Sequence, residues 1–138
     1  MRPDARLLLA VFLGGALGTL ARFGIGQLAP GAPLEGTLAI TTGCNLLGCL
    51  LLGAITGLPP TSPRFDALRL GAGTGFCGGF TTLSYVASAE AALLTADPGS
   101  RAAWALLVIG VILGVGFAQL GAQLGAWAGR RFQIGVHR

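Results

Sequence analysis

The stretch Leu68-Arg69-Leu70-Gly71-Ala72-Gly73-Thr74-Gly75-Phe76-Cys77-Gly78-Gly79-Phe80-Thr81-Thr82-Leu83-Ser84 is apolar enough to lie in lipid, yet holds too much glycine to run through it as one helix. Its composition predicts a break near Gly78 to Thr81. A break inside lipid frees backbone carbonyls and amides, which are tolerated only where protein buries them or water or an ion satisfies them. The segment therefore predicts a polar site at membrane depth, without saying what fills it.

Working outward, this stretch opens the third of four apolar runs, at residues 7–29, 37–58, 68–94 and 102–129. Each reaches the roughly 20 residues a helix needs to cross a hydrocarbon core about 30 Å thick. Between them stand Pro30 and Pro33, then Pro59, Pro60 and Pro63, then Asp97-Pro98-Gly99, all turn formers. The expected architecture is an all-α integral membrane protein, a single domain over residues 1–138 with four transmembrane helices and the third one broken. Arg2 and Arg6 before Leu7 have the look of a signal peptide, but three further spans follow, so the first reads as a retained helix.

Composition agrees with this reading. Of 138 residues, 53% are apolar and 10% charged, where a soluble domain carries about 25% charged residues. So apolar a chain cannot stay solvated as a disordered one either. Glycine contributes 24 residues with no collagen-like period. It recurs at every fourth position in Gly14/Gly18, Gly71/Gly75/Gly79, Gly110/Gly114 and Gly121/Gly125/Gly129, which predicts helix faces that let neighbouring backbones approach closely.

All nine basic residues are Arg, the five acids are Asp4, Glu35, Asp66, Glu90 and Asp97, and the net charge is +4. No basic block suggests nucleic acid as a partner. Cys44, Cys49 and Cys77 lie in apolar runs and read as small buried thiols rather than a disulfide framework. Arg2, Arg6, Arg64, Arg69, Arg130, Arg131 and Arg138 fall on one side of the predicted spans and Arg101 on the other. The positive-inside rule then places both termini in the cytoplasm.

Several polar residues fall inside the spans. Arg22 lies about sixteen residues into the first, where it either snorkels or draws anions towards a vestibule. Thr41 and Asn45 share a face of the second; their donors can replace part of an anion's hydration shell or tie helices together. Ser84, Tyr85 and Ser88 follow the break, and Gln119 and Gln123 pair in the fourth span. The inventory for catalysis is poor. His137 is the only histidine and sits in the tail, no Cys, His and carboxylate set suits zinc, and Ser84 lacks an intramembrane base. Gly71-x-Gly73-x-Gly75 lacks the following Lys of a phosphate loop. An enzyme is not expected.

Three motifs combine: Gly14-Gly15-Ala16-Leu17-Gly18-Thr19-Leu20-Ala21-Arg22-Phe23, Asn45-Leu46-Leu47-Gly48-Cys49, and Gly75-Phe76-Cys77-Gly78-Gly79-Phe80-Thr81-Thr82-Leu83-Ser84. Together they resemble the CrcB/Fluc family of fluoride channels across essentially the whole chain. The resemblance implies a subunit in a bacterial plasma membrane that pairs antiparallel with a second copy. The pair would form two narrow pores for passive fluoride export, which relieves fluoride toxicity. A structural sodium ion would sit at the dimer centre on the backbone carbonyls of Gly78 and Thr81. Asn45, Thr41 and Ser84 would line the pore, and Arg22 would stand at its vestibule.

The sequence also departs from that pattern. Leu83-Ser84-Tyr85-Val86 stands where the family shows Phe-Ser-Thr-Phe, so two rings whose positive edges would face the anion are missing. The family's acidic position falls at Ala89, with Glu90 one residue late, and Gly110 replaces a polar residue. An antiparallel homodimer also needs nearly balanced Arg, whereas the bias here predicts one orientation. The expectation is an obligate heterodimer with a paralogue of opposite orientation that supplies the rings. Two rivals remain: a proton-coupled small multidrug transporter, for which Glu90 is the only intramembrane carboxylate, and a poorly conducting partner subunit.

Overall fold

Asp4 opens the first helix by accepting the Arg6 amide at 3.0 Å, a side-chain N-cap just ahead of the apolar run. The computed structural model describes residues 4–32, 34–59, 63–96 and 101–136, and they are helical with short connections. Helix α1 is Ala5–Gly26, α2 is Leu34–Gly57, α3 is Pro63–Arg69, α4 is Gly78–Phe80, α5 is Leu83–Ala96 and α6 is Arg101–Val136; a π-helix over Leu70–Cys77 joins α3 to α4. The first span closes at Gly26, ahead of a turn in which Gly31 takes a φ of 75° that favours glycine. The third begins earlier than its hydropathy suggests because Pro63 suits a first helical position, where no amide bond is lost. Expectations that fell on Arg2, Pro33, Pro60, Asp97-Pro98-Gly99, His137 and Arg138 lie outside the described residues.

The break falls at the far end of the expected stretch. Gly78 and Gly79 remain helical, and the chain leaves the helix only at Thr81, whose backbone is extended at φ −93°, ψ 155°. The glycines ahead of it stay helical for a packing reason: they bring the helix against α1. A Cβ on Gly14 would collide with the Gly71 carbonyl, one on Gly18 with the Phe76 carbonyl, and one on Gly79 with the Gly15 carbonyl. The π winding falls on this same glycine-rich stretch, where Gly71, Gly73 and Gly75 are buried and at those three positions have no side chain to repack around the wider turn.

A second glycine seam joins α2 to α6. Gly53 and Gly57 lie against the backbone of Ala118 and Ala122, and Gly121 and Gly125 against Leu50 and Ala54. The order across the molecule is therefore α1, the rod of residues 63–80, α2, then α6. Gly110 departs from the expected pattern, since nothing lies within 4 Å of the Cβ it lacks.

The interior is thin. Cys44, Cys77, Phe80 and Ala89 are its buried apolar side chains among the described residues, while Phe12, Leu20, Phe23, Val111 and Ile112 are well exposed. Such a surface suits lipid as solvent. Three helices, Ala5–Gly26, Gly36–Gly57 and Leu107–Arg131, are long and apolar enough to cross a membrane. The remaining run is divided between the rod and α5, so a bent helix stands where the fourth crossing falls.

Candidate functional site

The site is built around Thr82, the residue between the rod and α5. In an unbroken helix its amide would close onto the Gly78 carbonyl; here it donates to Asn45 Oδ1 at 2.8 Å instead. Asn45 Nδ2 returns a bond to the Thr82 carbonyl at 2.9 Å. One side-chain amide from α2 thus satisfies both backbone groups of one residue in the gap, and those two partners fix which end of the amide is nitrogen. The other hydrogen on Nδ2 is left over from this clamp.

Thr82 also starts the next helix. Its Oγ1 accepts the Tyr85 amide at 3.4 Å, an N-cap, and lies 3.2 Å from Ser84 Oγ. Ser84 is exposed in the first turn of α5, and its carbonyl accepts from Ser88 Oγ at 2.9 Å. Thr81 turns its hydroxyl back to the Cys77 carbonyl at 2.9 Å, while the Cys77 carbonyl also takes the Thr81 amide at 3.0 Å. The Thr81 methyl fills the space that a Cβ on Gly48 would occupy, so Gly48 lets α2 close on the break.

Helix α1 reaches the same break from the other side. The Gly79 carbonyl, one of the last of the rod, accepts Thr19 Oγ1 at 3.4 Å and Arg22 Nε at 3.5 Å. A cation at this end of a helix complements the negative pole of its dipole. Arg22 therefore finds a partner that no search for acidic residues would reveal, namely a backbone carbonyl.

Of the residues expected at the site, Gly78, Thr81, Asn45 and Ser84 come together at the break and Arg22 joins it through Gly79. Thr41 is half-buried one turn before Asn45 on α2, and its hydroxyl makes no hydrogen bond among the described residues. The sequence reading missed Thr82 and Thr19. Thr82 is hard to tell from Thr81 by residue type, but Thr19 lies three before Arg22, hence on its face of α1.

Beside the break lies an open cleft of about 440 Å³ between α2 and the rod, bordered by Asn45, Cys49, Thr74, Gly78, Thr81 and Leu83. Its polar groups are neutral. Leu83 is 73% exposed at its edge, and Glu90 is 7% exposed and outside its lining. Gly78 is exposed, with open space where a side chain would stand, and its carbonyl has lost the helical partner that Asn45 diverts. Carbonyl oxygens so freed are ligands for a hard cation.

Fold and site together define a multi-pass membrane protein with a polar break in one of its crossings, supported from two neighbouring helices. The chain belongs to the CrcB family: the family described as CrcB-like protein, Camphor Resistance (CrcB), matches residues 9–122. It is 39% identical over 136 residues to the fluoride-specific ion channel FluC of Methanopyrus kandleri, covering 94% of this chain and 98% of the relative. It is 40% identical over 124 residues to FluC of Gloeobacter violaceus (86% and 89% covered), and 35% over 130 residues to FluC 2 of Bacillus subtilis (88% and 86%). These are ion channels, not enzymes.

Proposed function

We propose that this chain is a subunit of a fluoride channel that lets the anion leave the cytoplasm passively and so relieves fluoride toxicity. The observation that carries the reading is the Asn45–Thr82 clamp, which holds a helix break open beside a mainly apolar cleft to which Asn45 and the threonines of the break bring neutral polar groups. Fluoride enters a membrane only where donors replace its water. Neutral hydroxyl and amide groups do this without a fixed charge that would hold the ion too tightly to release it. The remaining Asn45 N–H and the hydroxyls of Thr41 and Ser84 are the donors assigned to that path, and Arg22 supplies positive potential near its mouth.

The site resides in a bacterial plasma membrane with both termini cytoplasmic. The subunit pairs antiparallel with a paralogue of opposite orientation, since its Arg bias favours one direction of insertion. Relatives named FluC 1 and FluC 2 lend support to paired paralogues in this family. The residues at the break suit a sodium ion: the diverted Gly78 carbonyl, with that of Thr81, would hold it and brace the junction between the two subunits.

A second reading, a poorly conducting partner subunit, is favoured by Leu83, an exposed aliphatic side chain at the cleft where an aromatic edge would serve an anion. The multidrug reading needs a carboxylate in the substrate path, and Glu90 lies outside the cleft lining.

Fluoride efflux from loaded liposomes separates the three. The channel reading predicts gradient-driven efflux when the chain is reconstituted with its paralogue, insensitive to an imposed proton gradient. Efflux by the paralogue alone at the same rate would assign this chain to assembly. Proton-driven exchange of an organic cation would assign it to the carriers.

A further inference from the structure

The two tryptophans of the chain, Trp104 and Trp127, both stand on α6 and are 55% and 51% exposed. At 1.5 Å per residue they are about 35 Å apart along the helix, the hydrocarbon thickness plus a few ångströms. That is the spacing of an indole at each membrane interface, where an apolar ring and a polar N–H are both satisfied.

The Trp127 end differs from the other in what surrounds the indole. Arg131 lies over the ring, its guanidinium carbon 4.4 Å from the centroid, and Arg130 beside it is exposed. Stacking covers one face of the guanidinium and leaves its edge donors pointing outward in a fixed fork that matches a phosphate. Neither Arg forms an ion pair or hydrogen bond with another side chain among the described residues. Arg69, by contrast, donates to the Thr56 carbonyl at the end of α2 at 3.0 Å. Gly129 packs against Pro59, just beyond α2, so α2 ends at the depth of this pair. The apolar run of α6, residues 102–129, ends immediately before Arg130 and Arg131, which puts both guanidinium groups at headgroup depth.

We infer that Trp127, Arg130 and Arg131 form a binding site for the headgroup of an anionic phospholipid. The Arg131 fork takes the phosphodiester, Trp127 lies along the upper acyl chain, and Arg130 answers the net negative charge. A zwitterionic headgroup offers the same phosphodiester but carries its own cation, so it gains less from two guanidinium groups. The site is independent of fluoride passage.

The test uses the full chain with W104F, which leaves Trp127 as the sole indole, reconstituted in mixed phosphatidylglycerol and phosphatidylcholine vesicles. Bromine is placed on the upper acyl carbons of one lipid or the other at equal mole fraction. Quenching of Trp127 by brominated phosphatidylglycerol is expected to exceed that by brominated phosphatidylcholine at least twofold. The excess should disappear in R130Q/R131Q and fall partway in R131K, which keeps the charge and loses the fork; R131Q alone provides the reading if the double variant does not reconstitute. Equal quenching by the two lipids in the W104F chain overturns the inference. So does loss of the excess on adding inorganic phosphate at constant ionic strength, which would assign the donors to a free anion.

Discussion

Asn45 is the side chain on which the site turns, because its amide both gives to and takes from the backbone of Thr82. Alanine removes both bonds, whereas Asp in place of Asn45 keeps the acceptor and loses the donor. Hydrogen exchange at the Thr82 amide should therefore rise about fivefold to tenfold in N45A, the net worth of one hydrogen bond, and stay near the parent rate in N45D. Unchanged exchange in N45A would mean that α2 does not hold the break. The four-residue spacing of Thr41 and Asn45 placed them on one face from sequence alone. What Asn45 bonds was hidden, because its partner is a backbone that becomes available only once the helix has parted. Arg22 was opaque for the same reason: the sequence offers no acid near it, and the Gly79 carbonyl that receives it carries no residue-type signal.

Among the elements, identical glycine spacing has two outcomes. In α1 and the rod, Gly18 faces the Phe76 carbonyl so closely that even a methyl has no room; in α6, Gly110 faces open space. G18A should lower stability by about 1–3 kcal/mol, the usual range for overpacking, and depress the thermal midpoint in detergent, while G110A should leave it nearly unchanged. Equal effects would show that the two stripes are not used differently. The period was legible, as was the presence of a broken third crossing. Its position was legible to within a few residues: the sequence places it near Gly78 to Thr81, and because α1 needs the glycines helical to pack against, the chain parts at Thr81 and Thr82, where a hydroxyl can cap the next helix.

At the scale of the molecule, three crossing helices and a bent fourth leave much apolar surface for lipid, and the cleft beside the break is open on one side. A path for an anion needs that side closed, and a second subunit is the covering assigned to it here. Composition made the membrane legible at once; the way four segments close around two glycine seams depends on contacts between residues far apart in sequence. The central claim is that fluoride passes beside the break, using the donor that Asn45 has left after clamping Thr82. It is tested most directly by recording fluoride efflux, with a fluoride-selective electrode, from liposomes holding equal amounts of the assembled pair with Asn45 or with N45A. The account predicts that N45A slows efflux about tenfold or more, the worth of a donor to an anion, with assembly preserved; efflux at the parent rate would contradict it.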